Sequence, residues 1–227
     1  MGVAFLARAN WPQFPVRAID KWIVGVDLGQ SIDPTAICAL HHRVVPLDKW
    51  TPNDRRQSWR QERETHLDVR YLLRLPLGMA YPGQVQEVAL LKSRPPLNAA
   101  ELVIDETGVG RAVGDLFDLA GLSPNRITIT AGLEATQHGA KGWHVPKEML
   151  ISNLEARLHT GELRIAAGLA EANALADELK DFKRKVSEAG RVSFNARSGT
   201  HDDLVLAVAI AAWFAGNRHE VSQEPLG

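Results

Sequence analysis

Short apolar runs alternate with amphipathic stretches along most of the chain. Strand-like runs, β-branched or alternating in polarity, lie at residues 21–29, 35–45, 66–77, 101–105, 126–130 and 163–165. Apolar positions with helical spacing lie at residues 82–94, 108–120, 146–160, 170–182 and 201–215. Three strands followed by alternating strands and helices predict an α/β domain, a mixed sheet flanked by helices.

The last predicted helix differs from the others in composition. After Asp203 it is almost wholly apolar as far as Ala215. A helix that is apolar on all sides must be buried, so we expect a C-terminal helix in the core of the domain.

The same patterns suggest where the domain begins and ends. We expect an irregular N-terminal segment over residues 1–20, one domain over residues 21–217 and a polar tail over residues 218–227. Residues 46–66 are rich in arginine and glutamate without apolar periodicity, which indicates an insertion or a solvated helix. Residues 182–195 predict a β-hairpin.

Composition narrows the function classes. Hydrophobic residues make up 45% and charged residues 23% of the chain, values that argue against a disordered, collagen-like or membrane protein. The single cysteine, Cys38, excludes an internal disulfide and a zinc site built from cysteines. We therefore expect a cytoplasmic protein that does not bind a membrane. The net charge of −1 is mild evidence against a strongly basic nucleic-acid-binding domain, although charge can be segregated on one face.

Carboxylates stand next to apolar runs at three places. Asp27 lies in the first strand, Asp105 ends a later one, and Asp202 and Asp203 begin the buried helix. A buried carboxylate needs an ion pair, hydrogen bonds or a metal ion. Strand ends and a helix start can meet at one rim of an α/β sheet, where ligand sites gather. Oxygen ligands without a cysteine cluster favour Mg²⁺ or Mn²⁺ over zinc.

Each of these acids also has a purely structural interpretation. Asp27 can accept N–H groups of the following turn, and Asp105 can cap the glycine-rich turn after its strand. Thr200 followed by Asp203 matches the start of a helix with a capping box. The occurrence of all three in one chain favours the metal site.

Several motifs together resemble the nuclease domain of phage terminase large subunits, which are ribonuclease H-like nucleases. They lie at residues 24–29 with 33–36, 102–110, 143–147, 161–165 and 199–207. The resemblance covers about residues 22–216 in order. Its most specific part is His-Asp-Asp-Leu-Val at residues 201–205.

This resemblance implies a ribonuclease H-like fold and an endonuclease that cuts duplex DNA during genome packaging with two Mg²⁺ or Mn²⁺ ions. Asp27 would bridge both ions, Asp105 would bind one, and Asp202 or Asp203 would complete the site. Asp33 and His201 would tune the site from behind these ligands. The implied partners are a separate terminase ATPase, a small subunit or a portal, in the cytoplasm of a bacterium that carries the phage or prophage.

The chain departs from the family in one respect. Terminase large subunits carry an ATPase motor ahead of the nuclease, and this sequence has no Gly-x-x-x-x-Gly-Lys-[Ser/Thr] phosphate loop. We therefore expect a nuclease domain without its motor. Two alternatives stay open, a nuclease resembling Holliday-junction resolvases and a non-catalytic DNA-binding or packaging module that needs a separate ATPase.

Two further nucleotide-binding interpretations are weaker. The glycines at residues 108–114 follow a strand as in a dinucleotide fingerprint, but the third glycine comes one position late. Asp27-Leu28-Gly29 also resembles the phosphate hairpin of actin-like ATPases, which need two such domains, and this chain is too short for both.

Basic residues near the third acidic motif are candidates for contacts with DNA phosphates. We expect such contacts from Lys183, Arg184, Lys185, Arg191 and Arg197, and also from Lys147 in the first turn of an earlier helix. A solvated surface is the equal alternative for these residues. A second basic group, formed by Arg55, Arg56, Arg60 and Arg63, is more simply explained as solvated surface.

Overall fold

The computed structural model describes residues 10–188 and 201–220. The strands are β1 (Gln13–Phe14), β2 (Ile19–Asp27), β3 (Ala36–Asn53), β4 (Ser58–Arg74), β5 (Glu101–Asp105), β6 (Asn125–Thr130), β7 (Thr136–His138), β8 (Gly142–Pro146) and β9 (Leu163–Ile165). The α-helices are α1 (Tyr81–Lys92), α2 (Arg111–Leu119), α3 (Lys147–Thr160), α4 (Ala172–Glu188) and α5 (Asp203–Glu220), and a 3₁₀ turn spans Leu97–Ala99.

The strands form one mixed sheet in the order β1-β4-β3-β2-β5-β6-β8-β7, with β9 paired to β4. Strands β2, β3 and β4 are antiparallel neighbours, whereas β5, β6 and β8 continue from β2 in parallel. The parallel half places the carboxyl ends of β2, β5 and β6 at one rim. The predicted mixed sheet flanked by helices is confirmed.

Alternation along β2 divides the core between the two faces of the sheet. Ile23 packs in the cluster that contains α5, while Val24 and Val26 pack with Val85 of α1 and Phe117 of α2. Helices α3 and α4 contact α5, so they form the layer on that face. The sheet is therefore buried on both sides at its centre, as its nearly continuous apolar strand sequence requires.

Helix α5 is the most deeply buried helix of the described chain. Every residue from 204 to 215 is at most 7% exposed, which confirms the predicted buried helix. The helix continues to Glu220, so the first residues of the predicted polar tail are helical and residues 221–227 lie outside the described ranges. Within those ranges, no helix has both the length and the apolar character needed to cross a bilayer.

A glycine allows α5 to lie directly on β2. A Cβ atom added at Gly25 would lie 2.4 Å from the carbonyl oxygen of Ala207 and 2.9 Å from the Cβ of Ala211. The two alanines are four residues apart and so lie on the same side of the helix. This contact sets how closely the helix approaches the strand that ends in Asp27.

Residues 46–66 were expected to form an insertion or a solvated helix, and the helix is wrong. These residues belong mainly to β3 and β4, whose antiparallel pairing continues to Asn53 and Ser58. Cross-strand polar contacts stabilise this two-stranded arm, since Glu62 accepts a hydrogen bond from Thr51 at 2.5 Å and pairs with Lys49 at 2.8 Å. Charged residues on an exposed ribbon carry no core-facing periodicity, which is why the pattern was ambiguous.

The prediction that a β-hairpin begins at residue 182 is also wrong, because its first strand is helical. Helix α4 continues to Glu188, and the sequence contains no glycine or proline before Gly190 that would end it earlier. Residues 189–200, with the predicted turn and second arm, lie outside the described residues. The N-terminal segment was expected to be irregular, but β1 and the start of β2 fall within it.

We expect Gly25→Ala to lower the free energy of unfolding by about 1–3 kcal/mol, because a methyl group has to push α5 off β2. Urea denaturation measures the change. The matched control is Gly83→Ala in α1, where a Cβ would meet only the side chain of Met79, at 3.4 Å. That variant should be neutral or more stable by up to about 1 kcal/mol. Equal effects of the two substitutions would contradict the close-contact explanation.

Candidate metal site at the rim of the sheet

Asp27 and Asp105 are the last residues of neighbouring parallel strands and are paired with each other in register. Burial raises the pKa of Asp27 well above its usual range, and the charges of Asp105, Asp202 and Asp203 raise it further. Burial also raises the pKa of Asp105. Hydrogen bonds with Thr107 and Asp27 lower this pKa and offset part of the effect of burial. The rim thus holds two adjacent carboxyl groups whose charged forms lack sufficient compensation.

Thr107 fixes the orientation of the Asp105 carboxylate. Its N–H and its hydroxyl donate to the same oxygen, Oδ1, at 2.8 and 2.5 Å. The Thr107 hydroxyl in turn accepts the N–H of Ile129 at 2.6 Å, which ties the turn after β5 to β6. Asp105 therefore caps the turn after β5 and also lies at the rim of the sheet. The sequence analysis overlooked Thr107, although its position two residues after an acid is typical of such turns.

Asp202 lies at the start of α5 and forms an ion pair with Lys147. The Lys147 Nζ is 2.7 Å from Asp202 Oδ2, and both side chains are about a fifth exposed, at 22% and 20%. Lys147 is the first residue of α3, directly after β8. Its charge also lowers the pKa values of Asp27 and Asp105 against the effect of burial. One ammonium group thus interacts with three of the predicted carboxylates.

Asp203 has a different environment, because its side chain is fully buried and is held by Arg74. Arg74 Nε donates to Oδ2 at 2.7 Å and Nη2 donates to Oδ1 at 3.3 Å. Arg74 also contacts Glu178 of α4. The guanidinium therefore links the end of β4 to the beginnings of α5 and to α4. Sequence reasoning missed both Arg74 and Glu178, which lie far from the acidic motifs in the sequence.

Glu178 completes this buried group. Its Oε2 accepts the N–H of Val205 at 3.0 Å, so it satisfies a donor in the first turn of α5. Burial raises the pKa of Glu178 to about 8, although Val205 and Arg74 act in the opposite direction.

The structure pairs Asp33 with His201. His201 Nδ1 lies 3.2 Å from Asp33 Oδ1 and 4.0 Å from Asp203 Oδ1, and the side chains of Asp33 and His201 are about half exposed. This contact joins the turn after β2 to the segment before α5, beside the carboxylates.

Buried polar contacts hold the turn after β2. Thr35 Oγ1 accepts the N–H of Gly29 at 3.0 Å, and Gln84 Nε2 donates to the carbonyl oxygen of Gly29 at 2.8 Å. A Cβ at Gly29 would lie 2.1 Å from the Asp33 carbonyl oxygen, so the turn requires glycine there. Thr35 belongs to the motif at residues 33–36, but the sequence did not indicate that it makes these contacts. The sequence around Gln84 did not indicate a contact with this turn either.

In the described ranges, no three Asp, Glu, His or Cys side chains stand together as a ready-made group of metal ligands. Asp27 and Asp105 are adjacent, while Asp202 is paired with Lys147 and Asp203 with Arg74. The rim therefore combines a carboxylate pair with two carboxylates that already have cationic partners.

The predicted DNA contacts fall into three groups. Lys147 lies at the rim, and Lys183, Arg184 and Lys185 belong to the last turns of α4. Arg191 and Arg197 lie outside the described residues. The other basic group lies on the arm of β3 and β4, whose tip is roughly 50 Å from the rim at the usual rise per strand residue.

No family model matches the chain. The terminase large subunits of Thermus phage G20c and Thermus virus P23-45 are each 25% identical to it over 134 residues, which cover 59% of this chain and 24% of each relative. The chain thus spans about a quarter of the length of the curated relatives it matches.

Solved structures give a broader match. The large terminase nuclease of thermophilic phage G20c with bound magnesium has a TM-score of 0.57 and 22% identity, covering 88% of this chain and 84% of that one. This chain has the fold of a large terminase nuclease. The same phage nuclease with bound zinc gives a TM-score of 0.51 at 20% identity, covering 91% and 95% of the two chains. The terminase-nuclease resemblance and the ribonuclease H-like fold expected from the motifs are confirmed at the level of fold.

We expect the stability of the protein to fall as the pH rises from about 4.5 to about 8, in part because of Glu178. The folded form keeps a proton on Glu178 that the unfolded chain releases, so rising pH favours unfolding over this interval. Glu178→Gln should reduce the slope of the free energy of unfolding against pH. Asp27, whose pKa is also raised, should account for part of the slope that remains. Urea denaturation at pH 5 and pH 8 measures the slope. An unchanged slope in Glu178→Gln would mean that Glu178 is ionised in the folded protein.

Proposed function

We propose that this chain is a metal-dependent endonuclease that cuts duplex DNA and corresponds to the nuclease domain of a terminase large subunit. The observation that carries the proposal is the in-register pair Asp27 and Asp105 at the rim, with Asp202 close enough to raise the pKa of Asp27. The terminase-nuclease fold supports it, and so does the magnesium ion bound by a solved nuclease of that fold.

The residues at the rim suit a divalent cation. Asp27 and Asp105 lie side by side with raised pKa values, so a nearby cation would stabilise both in their charged forms. All the candidate ligand atoms are carboxylate oxygens, which Mg²⁺ and Mn²⁺ prefer. Two such ions supply activation of the attacking water and neutralisation of charge on the scissile phosphate.

We assign the four carboxylates different roles. Asp27 is the central ligand, because the charges of both Asp105 and Asp202 act on its pKa, and these two acids are the further ligands. Asp203 is a positioning residue, because Arg74 donates to both of its carboxylate oxygens and its side chain is fully buried. Thr107 orients Asp105, and the contact between Asp33 and His201 holds the turn after β2 beside the start of α5.

DNA phosphates are negatively charged and the rim is acidic, so basic residues have to compensate the phosphates that approach it. The end of α4 carries Lys183, Arg184 and Lys185 shortly before the third acidic motif in the sequence, and Arg191 and Arg197 follow. We propose that these residues bind the duplex backbone without reading its sequence.

The full packaging machine extends beyond this chain. The curated relatives are terminase large subunits about four times as long as the segment they share with it. We propose that the site acts together with a terminase ATPase and, through it, with a small subunit or portal. Activity on four-way junctions rather than linear duplexes would instead favour a resolvase, and DNA binding without cleavage would favour a non-catalytic module.

The first test is cleavage of supercoiled plasmid with Mg²⁺ or Mn²⁺. We expect nicked and linear products that disappear with EDTA and in the variants Asp27→Asn and Asp105→Asn, because both remove a charged ligand from the pair. Gel electrophoresis measures the products, and circular dichroism verifies that the variants are folded.

Asp48→Asn is the matched control, since Asp48 is an exposed acid on the arm of β3 and β4. It should cleave as the wild type does. Cleavage that survives Asp27→Asn in a folded protein would contradict the assignment of the site.

A second test concerns the basic end of α4. We expect Lys183→Glu with Lys185→Glu to weaken duplex binding and to reduce the slope of log K against log salt by about 2, one for each lost phosphate contact. Fluorescence anisotropy over a salt series measures the slope.

Arg55→Glu with Arg56→Glu serves as the comparison, because these residues lie at the tip of the arm, far from the rim. This double variant should keep the wild-type slope. The assignment of α4 to DNA binding fails if the two double variants behave alike.

A further inference from the structure

Two of the rim carboxylates have cationic partners of different kinds. Arg74 holds Asp203 with two nitrogen atoms, and the side chain of Asp203 is fully buried. Lys147 holds Asp202 through one atom, at 2.7 Å, with both side chains in partial contact with solvent. A lysine ammonium is a point charge on a flexible stem, whereas a guanidinium makes a fixed fork. Of the two pairs, that between Lys147 and Asp202 is the one that can be exchanged.

Lys147 also occupies an electrostatically central place. Its charge reaches Asp27 and Asp105 as well as Asp202, so it compensates the same three carboxylates that we assign as ligands. A divalent cation among these groups would meet an ammonium ion of like charge within a few ångströms, and the two would repel each other. Asp202 Oδ2 is already the acceptor of the ammonium group.

We propose that Lys147 and a divalent cation compete for Asp202, so that the lysine holds this carboxylate in the absence of the ion and is released when the ion binds. This inference rests on the proposed function, since it concerns the cation that the nuclease would use. Lys147 thereby holds the Asp202 carboxylate beside Asp27 and Asp105, at the cost of weaker ion binding. Asp202 therefore becomes a metal ligand only above the ion concentration that is needed to displace Lys147.

Titration calorimetry of Mn²⁺ into the EDTA-stripped protein without DNA tests the competition. We expect Lys147→Met, which keeps the aliphatic stem and removes the charge, to bind Mn²⁺ about 10-fold more tightly than the wild type. Lys147→Arg retains a cation and should not show this gain. Lys180→Met is the matched control, because Lys180 forms an equally short ion pair with Asp177, at 2.8 Å, on the exposed side of α4.

The outcomes separate this inference from the proposed function. Equal Mn²⁺ affinities of the wild type and Lys147→Met, both lost with Asp27→Asn, would overturn the competition and leave the nuclease proposal standing. Mn²⁺ binding that does not depend on Asp27 in any variant would overturn both proposals. A gain limited to Lys147→Met supports the competition.

A measurement on the wild-type protein covers the case in which Lys147→Met does not fold. An amine-reactive ester labels lysines at a rate that increases when an ion pair is released, and mass spectrometry reads that rate at each lysine. Saturating Mg²⁺ should increase labelling of Lys147 several-fold and leave Lys180 unchanged. Labelling of Lys147 that is unaffected or slowed by Mg²⁺ would overturn the proposal.

Discussion

The close contact between α5 and β2 is the constraint on which the rest of the structure depends. At Gly25 the helix lies against the strand without an intervening side chain, opposite Ala207 and Ala211. Two residues further along β2 is Asp27, and one turn before Ala207 is Asp203. The packing of one glycine against two alanines therefore sets the distance between the acid of the first strand and the acids of the last helix. A bulkier residue would move the two parts of the site apart before changing any of their chemistry.

Charge compensation at the rim follows from this closeness. Four carboxylates lie near this rim, and burial raises the pKa values of the two that end the central strands. Arg74 compensates Asp203 from the side of β4 and so supports the fold, together with Glu178. Lys147 compensates Asp202 from the side of α3, where solvent has access. Each of the two acids at the start of α5 thus has its own cationic partner.

Sequence reasoning found the parts of the structure that depend on local pattern. Apolar runs identified the central strands and α5, and acids next to these runs identified Asp27, Asp105 and the pair at residues 202–203. Sequence reasoning failed where a residue's contacts are with residues distant in the sequence. Arg74 contacts Asp203 and Glu178, which are 129 and 104 residues away from it in the sequence. The arm of β3 and β4 was missed because polar residues stabilise it from both strands, so that neither strand alternates clearly.

The order of these residues along the chain has a consequence for the folding of the protein. Asp27, Asp105 and Asp202 come from early, middle and late parts of the sequence, and they lie at one rim only when α5 is packed against the sheet. Contacts of such long sequence separation form late, because the loops between them have to close first. During synthesis, the acidic rim stays incomplete until the residues of α5 have left the ribosome. A chain without α5 therefore lacks the full set of carboxylates, and any activity that they support begins only after α5 has docked.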